Sequence, residues 1–161
     1  MAVSLLSRML VQCTKPTAMV DPNPTILLAE DSDSDTMLIQ IGFEDAGLPF
    51  SLHFVPDGLE AVEYLSGKGI YRDKTMYPPP CMLVTDLKMP RMDGFELLAW
   101  VRSHEPWKEL PVIILSGSEQ VEDKQRAGKL GANDYVVKGL LMRPESALFR
   151  AIRRHAPRLR R

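Results

Sequence analysis

Cysteine is scarce in this chain. Cys13 and Cys81 are the two in 161 residues; they stand far apart and form no CxxC pair. No disulfide or zinc framework is readable from them. Long hydrophobic runs are missing too: the longest uncharged apolar stretch falls far short of the roughly 20 residues a bilayer span needs. The three histidines, His53, His104 and His155, share no metal-ligand spacing and read as surface or packing residues. No glycine-rich loop is present to cradle phosphates, which argues against direct use of ATP. Asn23-Pro24-Thr25 has proline in its middle position and fails as a glycosylation acceptor. A reducing, cytoplasmic setting is therefore expected.

Net charge is also small, −1, but unevenly spread. Arg150, Arg153, Arg154, Arg158, Arg160 and Arg161 crowd into the last dozen positions, leaving 14 basic against 21 acidic residues elsewhere. An acidic body disfavours a nucleic-acid groove, because phosphate binding needs clustered positive charge. Arg150, Arg153 and Arg154 complement the C-terminal end of a helix dipole. Residues 157–161 read as a basic tail beyond Pro157, so no sequence-specific DNA binding is expected. An acidic surface on a protein partner is the expected counterpart of that tail.

What is present is a chain of 45% hydrophobic and 25% charged residues, enough for one domain of ordinary size. Residues 1–24 read as a flexible leader, interrupted by Arg8 and by Pro16, Pro22 and Pro24. From Thr25 the pattern repeats strand and helix. Strands are expected at Thr25–Ala29, Ser51–Val55, Met82–Thr85, Val112–Leu115 and Tyr135–Val137. Helices are expected over Asp33–Ala46 on Met37, Leu38, Ile41 and Ala46, then on Leu59, Val62 and Leu65 up to Gly67. A third follows on Phe95, Leu98 and Val101 with Asp93 as N-cap. The last two span Glu119–Leu130 and about Pro144–Arg154. Five strands alternating with five helices imply an α/β protein with a five-stranded parallel sheet and helices on both faces. A long connection, Lys68–Pro80, breaks the rhythm; it reads equally as a functional loop or a surface insert.

In an open parallel sheet, ligands bind beyond the carboxyl ends of the strands. Here the first strand ends in Glu30-Asp31, the third in Asp86, the fourth in Ser116 and the fifth in Lys138. Three neighbouring carboxylates repel one another, and a hard divalent cation such as Mg²⁺, which takes oxygen ligands, resolves the repulsion. A single strand-end acid would read as a helix cap; four of five strand ends bearing complementary polar groups read as a site.

These residues resemble a family. With Asp86-Leu87-Lys88-Met89-Pro90-Arg91-Met92-Asp93-Gly94, Ser116-Gly117, Tyr135 and Lys138 in this order, residues about 25–155 are similar to the receiver domain of two-component response regulators. The resemblance implies a (βα)5 flavodoxin-like receiver domain over residues 25–156, with strand order 2-1-3-4-5. It implies that Asp86 accepts a phosphoryl group from a sensor histidine kinase. Asp86, Asp31 and the Lys88 backbone carbonyl would hold Mg²⁺, with Glu30 acting through a water. Lys138 and the Ser116 hydroxyl would hold the phosphoryl oxygens, and Ser116 and Tyr135 would act as the switch. The output would be a conformational change or a homodimer through the fourth helix, fifth strand and fifth helix, since no effector domain follows in the sequence.

The Tyr- and Pro-containing Lys68–Pro80 connection narrows the resemblance to stand-alone regulators paired with phytochrome-type kinases. So does Lys138-Gly139, where most receivers have a proline after the lysine with a cis bond; its absence puts that bond in doubt.

Other motifs fall away. Asp31-Ser32-Asp33-Ser34-Asp35 begins like a calcium loop, but Thr36 replaces the needed glycine and Gly42 the closing glutamate. Ser116 lacks the glycine two residues earlier that a nucleophile elbow needs. A haloacid-dehalogenase-type nucleophile would want Thr or Val where Asp35 stands. Two alternatives remain open on sequence: a Mg²⁺-dependent phosphohydrolase acting on external substrates, and a degenerate receiver serving only as a protein-interaction module.

Overall fold

A computed structural model describes residues 23–139, 141 and 143–156; the expected basic tail and all of the expected leader before Asn23 lie outside them. The strands are β1 (Thr25–Ala29), β2 (Ser51–Val55), β3 (Pro80–Asp86), β4 (Val112–Ser116) and β5 (Asp134–Val137). Between and after them run α1 (Asp33–Asp45), α2 (Gly58–Ser66), α3 (Gly94–Ser103), α4 (Val121–Lys129) and α5 (Ala147–His155). All pairings are parallel, in the order β2-β1-β3-β4-β5. The chain moves from β1 to one side for β2 and to the other for β3. That reversal opens a crevice at the carboxyl ends of β1 and β3.

Strand periodicity builds the two hydrophobic layers. Leu27 and Ala29 of β1, with Leu83 and Ile114, face α2 and α3. Ile26 and Leu28, with Met82, Val84, Ile113 and Leu115, face α1 and α5. Both faces of the central strands are dry, so the polar groups following them have one place to go, the sheet edge.

Several boundaries and faces differ from the sequence expectation. β3 extends to Pro80 and Asp86, because paired backbone rather than apolar content sets its length. α4 begins at Val121 rather than Glu119, since Ser118 and Gln120 bond to each other in the preceding turn. α5 begins at Ala147, where Ser146 caps it, rather than at Pro144. In α1 the buried face is Ile39, Gly42 and Phe43, whereas Met37 is 64% exposed. Apolar residues lie around most of α1, so spacing alone does not choose the face. Leu59 of α2 is likewise exposed; Leu65 is buried as expected, and Ala61 and Tyr64 are buried with it. Lys138-Gly139 carries no cis bond; among the described residues the cis peptide is Glu105-Pro106.

The Lys68–Pro80 connection is packed down. After a short 3₁₀ turn at Gly69–Arg72, Tyr71 and Tyr77 close on Tyr64 of α2, with ring centroids 5.1 and 6.0 Å away. His53 of the edge strand β2 completes the cluster at 5.7 Å from Tyr64. Tyr64 donates a hydrogen bond to the Pro78 carbonyl at 2.9 Å, and Tyr71 donates to Glu60 at 2.8 Å. Burial raises the pKa of both tyrosines, so both hydroxyls stay protonated donors.

Tyr64→Phe should cost about 1 kcal/mol, because it leaves the Pro78 carbonyl without its donor. Urea unfolding should register that loss. Hydrogen exchange should show faster exchange concentrated in residues 68–80. An unchanged exchange pattern there would mean the hydroxyl does not anchor the connection.

Candidate functional site

The crevice collects the strand-end residues that sequence spacing singled out. Glu30 and Asp31 leave β1, Asp86 closes β3, and one carboxylate oxygen from each lies within 4.8 Å of the others. Glu30 is buried, Asp31 is exposed, and Asp86 is 7% exposed. The Asp86 Oδ1 atom accepts the Leu87 N–H at 2.7 Å, which fixes the carboxylate plane and leaves Oδ2 facing the crevice. Lys138, just after β5, points its ammonium into the same space. It lies 3.2 Å from Asp86 Oδ2 and 2.8 Å from Glu30 Oε2. The Lys138 backbone N–H donates to the Ser116 carbonyl at 2.6 Å, locking the end of β5 to the end of β4.

Electrostatics follow from that crowding. Burial raises the pKa of Asp86, against the opposing pull of Lys138. Burial also raises the pKa of Glu30, helped by the charge of Asp86 and opposed by Lys138. Burial by itself would lower the Lys138 pKa; hydrogen bonding to the neighbouring acids reverses this and holds it above the ordinary lysine value. Lys138 is therefore a fixed positive charge at any physiological pH.

The Ser116 hydroxyl is buried at the end of β4 and accepts the Ser118 N–H at 3.0 Å. Tyr135 of β5 donates its hydroxyl to the Ser118 carbonyl at 3.0 Å. Ser116 and Tyr135 thus grip the same β4–α4 turn from two sides. Asp86, Lys88, Ser116, Ser118 and Lys138 line one cavity, open to solvent above the Asp86 carboxylate.

Three residues in the structure's network had no such role in the sequence reading. Asp35, on the first turn of α1, accepts a hydrogen bond from Lys138 at 2.7 Å. Asp57, the buried N-cap of α2, accepts the Glu60 N–H at 3.0 Å and the Arg91 Nε at 2.7 Å, with Arg91 Nη2 also in contact. Arg91 sits at φ 64°, a left-handed conformation uncommon outside glycine, in the loop between β3 and α3. This ion pair ties the loop that follows Asp86 to α2. Asp57 carried a helix-cap signal; nothing local marks Arg91 or Asp35.

The donor set suits a hard divalent cation. All candidate ligands are oxygens. Glu30 Oε2 is buried, and the Lys138 ammonium 2.8 Å away is its charged partner. One ammonium does not balance the acids around it, and a hard cation would relieve the repulsion that remains.

A (βα)5 sheet with an acid triad, a hydroxyl and a lysine at its carboxyl edge is the arrangement expected of a receiver domain, and the comparisons agree. A family model for the response regulator receiver domain matches residues 26–153, and the protein belongs to that family. The response regulator Rcp1 of Synechocystis is 32% identical over 118 residues, covering 73% of this chain and 78% of that one.

The crystal structure of response regulator RPA3017, in red light signalling of R. palustris, superposes with a TM-score of 0.73. It is 33% identical and covers 80% of this chain and 91% of its own. The phosphorylated cyanobacterial phytochrome response regulator RcpA gives a TM-score of 0.66 at 33% identity, over 73% of this chain and 81% of its own. Rcp1 has also been solved in a Mn²⁺-bound form, with a TM-score of 0.66 at 32% identity over 72% of this chain and 81% of its own. Family membership makes this chain a phosphoacceptor signalling protein of the two-component type. No helix among the described residues is long and apolar enough to cross a membrane.

Proposed function

We propose that this protein is a cytoplasmic response regulator that takes a phosphoryl group onto Asp86 from the phosphohistidine of a sensor kinase. The observation that supports it best is the pairing of Asp86 Oδ2 with Lys138 at 3.2 Å inside a three-carboxylate cluster open to solvent. In the transfer, a carboxylate oxygen of Asp86 bonds to phosphorus as the P–N bond to the kinase histidine breaks. The electron pair of that bond stays on the imidazole nitrogen. Such a reaction needs positioning and charge neutralisation more than acid–base work. Lys138 and the Ser116 hydroxyl would hold phosphoryl oxygens.

Asp31, Asp86 and the Lys88 carbonyl would hold Mg²⁺, with Glu30 acting through a water; the ion would neutralise charge on the incoming group. The chain is a phosphoacceptor and not a turnover enzyme. Steady release of phosphate from small esters over many turnovers would instead make it a phosphohydrolase. A phytochrome-type kinase is the proposed partner, supported by the red-light and phytochrome regulators it is similar to.

Metal binding should be visible in stability. Because Glu30 and Asp86 have raised pKa values, the metal-free fold holds their protons more tightly than the unfolded chain does. The stability from these protons is present below the ordinary values of 4.5 and 3.8 and is lost as pH rises through the raised ones. Mg²⁺ replaces the lost protons. At ten times its Kd it should add about 1.4 kcal/mol, or roughly 5 °C in Tm for a domain of this size. The increment should be largest near pH 7 and fade toward pH 4, as calorimetric melts would show. An increment that grows on acidification would contradict the site.

The proposed output is a homodimer through α4, β5 and α5. Charge added at Asp86 is felt at Ser116, whose turn Tyr135 holds, so one covalent event biases that face. Sedimentation should show a shift toward dimer when beryllofluoride and Mg²⁺ are added. A monomer under both conditions would remove the dimer from the proposal. No nucleic-acid partner is proposed.

A further inference from the structure

Lys138 faces one acid more than the metal cluster contains. Its ammonium lies 2.7 Å from Asp35 Oδ2, 2.8 Å from Glu30 Oε2 and 3.2 Å from Asp86 Oδ2. The contact with Asp35 is the shortest of the three and is a hydrogen bond. Asp35 is itself held in place. It stands in the first turn of α1, where its backbone N–H donates to the N-cap Ser32 Oγ at 3.3 Å and its charge complements the helix dipole. A hydrogen bond spanning 103 residues of chain thus anchors the lysine to a helix that supplies no metal ligand.

We propose that Asp35 is a positioning residue that parks Lys138, dividing the ammonium between a standby partner and the phosphoacceptor. This rests on the phosphoacceptor reading and adds a control over it. An ammonium that leaned wholly on Glu30 and Asp86 would compete with the cation for those oxygens. Shared with Asp35, it holds those oxygens less strongly, so a metal displaces it more readily. Once Asp86 bears a phosphoryl group, the same hydrogen bond works in the other direction, because Lys138 must loosen from Asp35 to reach a phosphoryl oxygen. Asp35 therefore favours metal entry and weakens the grip on the phosphoryl group.

The test uses the full chain and two probes, Mg²⁺ alone and beryllofluoride with saturating Mg²⁺, each titrated calorimetrically. Asp35→Asn keeps the side-chain volume and an acceptor oxygen but removes the charge. It should weaken Mg²⁺ binding about threefold and tighten beryllofluoride binding about threefold to tenfold, the range of coupling seen for groups in one ion network.

Loss of a distant negative charge would shift both affinities in the same senses, so the lysine must be shown to transmit the effect. In a Lys138→Met background, with Lys138→Gln as a second one, Asp35→Asn should change Mg²⁺ affinity less than twofold. An equal change with and without the lysine overturns the proposal. So does a variant that lowers Tm while leaving both affinities unchanged, which would make Asp35 a helix-end residue only. Failure of the unsubstituted chain to bind either probe overturns the phosphoacceptor reading itself.

Discussion

Asp86→Asn is expected to abolish covalent phosphorylation completely. Incubated with a small phosphodonor and Mg²⁺, the unsubstituted protein should gain the mass of one phosphoryl group, and the variant none. Asparagine keeps the shape of the side chain but has no anionic oxygen to attack phosphorus. Unfolding does not account for that loss, because the substitution relieves strain at the site. Burial disfavours the charged form of Asp86, and Glu30 lies beside it. The metal-free variant should therefore melt no lower than the unsubstituted protein near pH 7, and its response to Mg²⁺ should shrink. A phosphoryl gain surviving in the variant would move the acceptor away from Asp86.

Gly94→Ala should be the most damaging of the small substitutions. Gly94 opens α3, where alanine is the better helix former by up to about 1 kcal/mol. Sterics decide against it. A methyl there would lie 2.3 Å from the backbone oxygen of Asp86 and 3.0 Å from the Leu87 Cα, and neither atom can swing away as a side chain would. Overpacking of this kind costs about 1–3 kcal/mol, and here it displaces the acceptor residue itself. Denaturant unfolding should show the loss, and the rate of phosphorylation should fall with it. Gly128→Ala provides the contrast. It lies in α4 with nothing within 4 Å of its added methyl, so helix propensity should prevail and stability should rise by about 0.5–1 kcal/mol. Equal effects at the two glycines would mean the close approach at Gly94 is not a constraint.

The sequence by itself determined the α/β alternation, the parallel sheet and the residues at its carboxyl edge. β1 and β2 have the bounds their apolar runs suggest, and Asp93 caps α3 in a reciprocal box with Glu96. These features are legible because they are local: periods of 2 and 3.6 and cap residues depend on neighbours a few positions away. The edge residues Glu30, Asp31, Asp86, Ser116 and Lys138 were legible because parallel strands all finish on the same side.

What only the tertiary structure decided involves reach across the chain. Periodicity marks a helix but not which of several apolar stripes packs, so Met37 turned outward and Ile39 and Phe43 inward. The Lys68–Pro80 connection carries no period at all, and its order comes from Tyr71 and Tyr77 meeting Tyr64 and His53 of other elements. Arg91 finds Asp57 34 residues away, and Lys138 finds Asp35 103 residues away. A long charged side chain chooses among the acids within its reach by distance and angle, and those exist only once the helices have docked on the sheet.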